Sequence, residues 1–242
     1  MDDNAISFAR LSFGLIPVVL VVAIMVSWSM KFVESTVALT RMVIQLLLIG
    51  IILHYIFGAD NSGIVIVVCL VMVTAAAWIA LRTVPRSAES YSYAFVAILI
   101  GGGVPLLLTT QFVLQIDPWY SPRSLIPLAG MVFANGMNAV SLAAERFQTE
   151  MERIAEPTLE WRSARNTAFK TALIPITNGL LSVGLVSIPG FMTGQILNGT
   201  SPAVAARAQI MIMCMVYGAV GLSTIGYLAL STRTMWHHPK RV

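Results

Sequence analysis

The sequence predicts an all-α, polytopic membrane protein, and three observations predict it. Of the 242 residues, 57% are hydrophobic and 11% are charged, against about 25% charge in an ordinary soluble domain. The mean hydropathy is +0.81. The apolar residues also come in continuous runs of about 20, the length of one helical crossing, rather than in the alternation of a membrane β-barrel. A single membrane domain, 1–242, accounts for the length, with one sizeable loop at about 145–170.

About seven spans emerge in order. The N-terminal stretch MDDNAISFAR places two acids ahead of the first run, whereas a secretory signal begins with a basic region. The first span, 11–30, is therefore read as a retained helix with its N-terminus outside. The second, 37–57, carries Arg41, Gln45 and His54. Arg41 can snorkel to the nearer interface, His54 suits an interfacial hydrogen bond, and Gln45 is a candidate lining of a polar path. The third is 62–81. The fourth, 93–114, contains Gly101, Gly102, Gly103 and Pro105 near its middle.

The fifth span, 125–144, includes IPLAGMVFANGMNAVSL. Gly130, Ala134 and Asn138 recur every four residues, a small-residue face that lets helices approach closely. Asn135 and Asn138 lie near mid-membrane, where an amide needs partners. Asn135 is read first as path lining. Asn138 is read first as an interhelical hydrogen bond and second as path lining.

The sixth span, 171–188, and a short segment at 191–197 belong to the run ALIPITNGLLSVGLVSIPGFMTGQILNG. Pro175 and Pro189 each remove a backbone donor. Pro189-Gly190 is expected to end a helix sharply, because glycine reaches φ > 0 freely. Pro175, Pro189 and Gly190 are the expected hinge. Asn178 and Ser182 add hydrogen-bonding side chains. Broken backbone at membrane depth survives only against protein or a water-lined cavity, so this stretch reads as a wall of a transport path. Simple packing, for which Pro and Gly are common in membrane helices, is the competing reading. The seventh span, 203–230, is longer than one crossing requires.

Charge fixes the expected orientation. Of the 15 basic residues, only Arg10, Arg123 and Arg207 fall on one side, so the other side is cytoplasmic by the positive-inside rule. The 145–170 loop and the C-terminus are then inside. In that loop Phe147, Met151 and Ile154 make one apolar face, and Arg146 and Glu150 can pair at i, i+4. The fifth helix is expected to continue out of the membrane here. Pro157 is expected to start a new short helix with Trp161 as its anchor.

Several chemistries are missing. All 11 acids lie outside the expected membrane core, so no intramembrane carboxylate relay serves a proton-driven carrier. No P-loop, H-E-x-x-H or nucleophile elbow is present, and the chain reads as a transport subunit rather than an enzyme. No basic cluster interleaved with aromatics marks a nucleic-acid surface. Cys69 and Cys214 sit in apolar runs as packing residues. Met211, Met213 and Met215 around Cys214 could suit a soft metal, but flexible packing accounts for them more simply. Uphill movement would need energy from another chain.

Three stretches, 41–57, 126–142 and 172–202, together with AARAQIMIMCM at 205–215, resemble the FetB-type permeases. These are the membrane subunits of bacterial ABC-type iron exporters, with plant relatives linked to aluminium tolerance. The resemblance implies an inner-membrane permease that exports a metal ion or small solute. It implies two copies of this chain working with two copies of a separate cytoplasmic ABC ATPase. ATP and Mg would sit on that ATPase, so no cofactor is expected on this chain. Lipid would be the only other partner, and no residue is assigned as a metal ligand. Glu156, Pro157, Trp161, Arg162 and Arg165 fall where the family's coupling helix touches the ATPase, with Pro157 matching its proline. The family's Asp and Lys in the broken span are Asn178 and Leu181 here. A stand-alone channel or facilitator, or a non-transporting scaffold, are the rival readings.

The charge asymmetry makes a direct prediction. In a variant lacking Cys69 and Cys214, Ser163→Cys should resist a membrane-impermeant maleimide in intact cells and react after permeabilisation. Labelling without permeabilisation would reverse the orientation.

Overall fold

The computed structural model describes residues 12–30, 32–58, 61–85, 87–153 and 157–237, with backbone alone at 157–160 and 232–237. Among the described residues the regular structure is helical, apart from one isolated bridge between Val183 and Ser187. The chain divides into two compact units, 1–58 and 59–242. In the first, α1 is Ile16–Ser27 and α2 is Val33–Phe57. In the second, α3 is Ser62–Ala80, α4 Ala88–Leu108, α5 Pro122–Arg153, α6 Pro157–Ser182, α7 Gly190–Leu197 and α8 Pro202–His237. A π turn, Thr109–Val113, continues α4.

The all-α, multi-span expectation is met. Among the described residues five helices are long and apolar enough to cross a membrane: Val33–Phe57, Ser62–Ala80, Ala88–Val113, Pro122–Arg153 and Pro202–Ser231. The other two expected spans are shorter. α1 has 12 residues rather than the full 11–30 run. Gly14 and Leu15 form a turn, Pro17 restarts the helix in its first turn, and Ser29 with φ 55° ends it. The apolar part of α6 is likewise short, because its helix stops at Ser182.

That stop moves the expected break. The sequence places it at Pro189-Gly190, whereas the turn occupies Val183–Ser187 and uses Gly184, at φ +80°. Pro189 instead caps the start of α7 with extended backbone, and Gly190 is its first helical residue. The backbone of the turn bonds largely to itself. Val186 N–H donates to Ser182 O at 2.8 Å and Gly184 N–H to Ser187 O at 2.9 Å. Such self-pairing lets broken backbone persist at membrane depth.

The fifth helix continues well past its apolar run, to Arg153, as the loop pattern predicts. Arg146 and Glu150 form the expected ion pair at 2.6 Å, and Phe147 is buried. Ile154 and Glu156 lie outside the described residues. Pro157 does begin a helix, but not a short one: the segment expected to dock a partner and the sixth span form one 26-residue helix through Pro175.

In the 59–242 unit, α4, α5 and α8 pack mutually; α3 joins α4 and α5, α6 joins α5 and α8, and α7 lies on α8. α4 and α8 run antiparallel, with Ala97 facing Gly226, Gly101 facing Ser223 and Pro105 facing Gly218. Buried Ala77, Ala80, Ala129, Ala143 and Ala168 line the other crossings. Lipid is as apolar as the core, so helices associate by close contact between small residues. The tightest point is a triple crossing: a Cβ on Gly101 would overlap the Ser223 backbone, and one on Gly136 would lie 3.0 Å from Ser223 Oγ. Gly103 faces open space.

This contrast sets a test. Alanine raises helix propensity over glycine by about 1 kcal/mol, but overpacking costs typically about 1–3 kcal/mol. Gly101→Ala should lower the thermal midpoint of the purified protein and its yield, while Gly103→Ala leaves both unchanged or improved. Equal behaviour of the two would refute the crossing.

Candidate functional site

The helix order places two distinct ends on the 59–242 unit. α4 leads into the π turn and the loop before α5, and α6 leads into the break, α7 and the turn before α8. All of these irregular elements therefore collect at one end. The opposite end gathers Arg82, Arg146, Arg153, Arg162 and Arg165 near helix termini and the α5–α6 junction. The broken elements and the charged elements thus lie at opposite poles.

At the charged pole α6 opens with a polar face. Ala164 and Ala168 turn inward, whereas Arg162, Ser163 and Asn166 are exposed. Trp161 is half-buried, and the Arg162 and Arg165 guanidinium carbons lie 5.7 and 5.1 Å from its ring centroid. Arg165 Nη2 also donates to Asn166 Oδ1 at 3.1 Å. Cation–π contact fixes both arginines on one rigid aromatic plate. Of the expected coupling residues, Trp161, Arg162 and Arg165 are brought together; Pro157 starts the same helix, and Glu156 lies outside the described residues.

The expected path residues are distributed differently. Gln45 is exposed on α2, in the other unit. Asn135 is half-buried on α5 and donates its Nδ2 to Met131 O of its own helix at 2.8 Å. Asn138 is exposed and makes no interhelical hydrogen bond among the described residues, contrary to its first reading. The expected small-residue face of Gly130, Ala134 and Asn138 is largely open, and close packing runs instead through Ala129, Gly136 and Ala143. Asn178 is exposed on α6, and Ser182, one turn on, bonds to Gly179 O at 3.1 Å.

Measured along the two helices from their junction at 153–157, Asn135 and Asn178 stand roughly 27 and 32 Å away at 1.5 Å per residue. They therefore share a depth to within about a turn. Among the described residues no hydrogen bond links them. Asn138 and Asn178 are exposed, so these amides line nothing within the 59–242 unit taken by itself. Pro175 lies inside α6 and is exposed.

Sequence reasoning missed other polar groups. Gln209 sits on the buried stripe of α8, within the run read for its methionines, and its Oε1 has no partner. Gln195 Oε1 on α7 and Ser223 Oγ on α8 are also buried without one. Thr110 is buried in the π turn and donates to Leu106 O at 2.9 Å. The signal for Gln209 was a lone amide in an otherwise apolar helix. No group of three or more His, Cys, Asp or Glu occurs among the described residues. Cys214 is exposed while Met215 is buried, so they share no face.

Comparison with known proteins bears on this architecture. The model of the Uncharacterised protein family (UPF0014) matches residues 8–236. A UPF0014 membrane protein of Synechocystis is 33% identical, covering 84% of this chain and 83% of its own length. The Probable iron export permease protein FetB of Escherichia coli is 30% identical, over 97% of this chain and 95% of its own. Protein ALUMINUM SENSITIVE 3 of Arabidopsis thaliana is 32% identical, over 86% of this chain and 80% of its own. No solved structure matches. With the family match extending through both units and every apolar span, the chain is an integral multi-pass membrane protein belonging to the UPF0014 family.

Proposed function

We propose that this chain is the permease subunit of an ABC transporter, exporting a metal ion or small solute across a bacterial inner membrane. Its energy comes from ATP hydrolysed on a separate cytoplasmic ATPase. The observation that carries this is the continuity of α6. One 26-residue helix joins the Trp161–Arg165 plate at the charged pole to the break at Val183–Ser187. At 1.5 Å per residue it spans roughly 39 Å, about a bilayer. A push at its first turns is transmitted as a rigid-body shift to the irregular elements beyond Ser182, as in transporters whose paths are built from broken helices.

The metal ion as solute is supported by the name of the Escherichia coli relative, a probable iron export permease. Two copies of the chain are supported by the outward amides. Asn138 and Asn178 are exposed on one chain, yet amides at membrane depth need polar partners. A path between two copies supplies them, and neutral oxygens hold a solute loosely enough to release it.

Two experiments test the reading. Trp161→Ala should reduce co-purification of an ATP-hydrolysing partner severalfold while membrane insertion is unchanged. Full pairing together with full solute-stimulated ATP hydrolysis in that variant would sink the coupling role.

Asn178→Leu keeps the branching at Cγ and removes the acceptor. Efflux per folded molecule should fall at least tenfold with an unchanged thermal midpoint, and Asn178→Asp should restore or raise metal efflux. If Asn178→Leu and Asn135→Leu both leave efflux intact, the amides are packing groups.

A further inference from the structure

We propose that the outward face of α6 at the charged pole, formed by Arg162, Arg165 and Lys170 around Trp161, binds an anionic phospholipid by its phosphate. The inference goes beyond the transport reading above and does not depend on it.

α5 and α6 pack against each other and run in opposite directions from their junction at 153–157. The apolar run of α5 ends at Ala144, and Glu145 is the first charged residue beyond it. Glu145 lies about 12 Å along α5 from Arg153, and Arg165 about 12 Å along α6 from Pro157, at 1.5 Å per residue. Arg162 is about 4.5 Å nearer the junction. The two arginines therefore stand at the height where hydrocarbon gives way to headgroups. The ends of the two helices reach past them, away from the membrane.

On α6, Arg162, Asn166 and Lys170 recur every four residues and stay within about 80° of arc, with Arg165 about 60° to the other side. Ala164, Ala168 and Ala172 take the packed side. Arg162, Asn166 and Lys170 are exposed, and Arg165 is half-buried. Lys170 lies about 7.5 Å farther into the membrane than Arg165. Helical side chains lean toward the N-terminus, here toward the charged pole, and a lysine is long enough to snorkel back to the level of Asn166. Phe169, Leu173 and Leu180 continue this face into the membrane, where acyl chains lie. Asn178 is about 160° round the helix from Arg162, so the lipid face and the amide face are distinct.

Among the described residues these three cations form no ion pair. Arg146, on α5 at nearly the same height, differs because Glu150 already holds it. An unpaired surface cation usually swings freely in water. Arg162 and Arg165 are instead held against the Trp161 ring, and Arg165 donates to Asn166 Oδ1 through both Nη2 and Nε. The guanidinium groups are positioned, and what they lack is an anion. Guanidinium forks bind phosphate through paired N–H donors, tryptophan favours the membrane interface, and basic groups beside a membrane attract anionic lipid. A lipid phosphate here, with its acyl chains along Phe169 and Leu173, meets all three conditions. Carboxylates of a partner protein would meet the cations but not the apolar face above them.

The experiment uses the full-length chain in non-ionic detergent, with bound lipid read by native mass spectrometry. The probes are phosphatidylglycerol, phosphatidylcholine of the same acyl chains, and inorganic phosphate. Phosphatidylglycerol should bind about tenfold or more tightly than phosphatidylcholine. Arg162→Gln with Arg165→Gln should bring the two lipids within about twofold, and Lys170→Gln alone should lower the preference about threefold. Arg123→Gln with Arg207→Gln removes the same charge at the other pole and should leave the preference as it was. Arg162→Lys with Arg165→Lys keeps the charge, loses the fork and should keep only part of the preference. Size-exclusion profiles and thermal midpoints check folding. Should the Arg162, Arg165 pair of Gln changes fail to fold, the Lys pair and Lys170→Gln decide the matter.

Equal binding of the two lipids by the parent protein overturns the site. So does a preference that survives Arg162→Gln with Arg165→Gln. Equal loss in the Arg123, Arg207 control also overturns it, since net charge alone would then attract the lipid. Displacement of phosphatidylglycerol by an equal concentration of inorganic phosphate makes free phosphate the ligand and removes the lipid. If the lipid preference persists in the Arg162, Arg165 variant while a co-purifying ATPase is lost, the cations serve an acidic protein surface instead. A preference lost from that variant and kept in the control upholds the site. It does so whether or not an ATPase co-purifies, so the transporter reading stands or falls separately.

Discussion

The 59–242 unit depends on the contact between α4 and α8 at Gly101 and Ser223. Water cannot drive helices together inside hydrocarbon, so what holds them is dispersion contact at short range. Gly101 lets the α8 backbone approach to a distance no side chain permits, and Gly136 brings α5 to the same serine. The remaining helices add to this three-helix nucleus through alanine-lined crossings. A conventional apolar core would not select one arrangement here, because leucine facing lipid and leucine facing a neighbour are nearly equivalent. Missing side chains make the register.

A second consequence follows from the rigidity of that nucleus. α4, α5 and α8 are locked at their centres, whereas α7 is braced closely only by α8, and the break before it is held by bonds within its own turn. Pro105 lies inside α4 and the π turn follows one turn later, with the buried Thr110 hydroxyl donating to Leu106 O at 2.9 Å. Freed backbone groups of this kind are tolerated where neighbours or side chains satisfy them, and π turns recur at functional positions. The unit therefore has a tightly packed middle, one pole built of irregular elements and one charged pole.

Much of this was legible in the sequence, for reasons that also explain the failures. The extension of α5 to Arg153, the Arg146–Glu150 pair and the start of α6 at Pro157 all lie where water meets the chain. There polar and apolar residues have different fates, and periodicity is informative. Within the membrane that difference vanishes. Gly130, Ala134, Asn138 and Ala129, Gly136, Ala143 are overlapping small-residue rows on one helix, and hydrophobicity does not say which meets a neighbour. The structure chose the second. The break was read from Pro189, the strongest local signal, yet Gly184 takes the left-handed backbone and proline begins the next helix. Gln195 and Gln209 have no spacing that marks them; only burial without a donor does.

The polar groups that remain inside the apolar spans are almost all neutral amides and hydroxyls. A carboxylate at this depth would hold a metal ion tightly and would itself carry a large desolvation cost when empty. Amides avoid both penalties but supply no driving force: a site that releases its solute readily also captures it poorly, and neutral oxygens do not couple movement to a proton gradient. A path of this chemistry is directional only if something else alternately exposes it. Like α5 and α8, α6 runs between the charged pole and the broken pole as one helix, and it leads directly into the break, with Asn178 on it and Gln195 on the short helix that follows. Neutral ligands and a mechanical lever are thus complementary requirements. Under the proposed transport function, the absence of charge along the path would make such a lever necessary, and the lever would make weak sites sufficient.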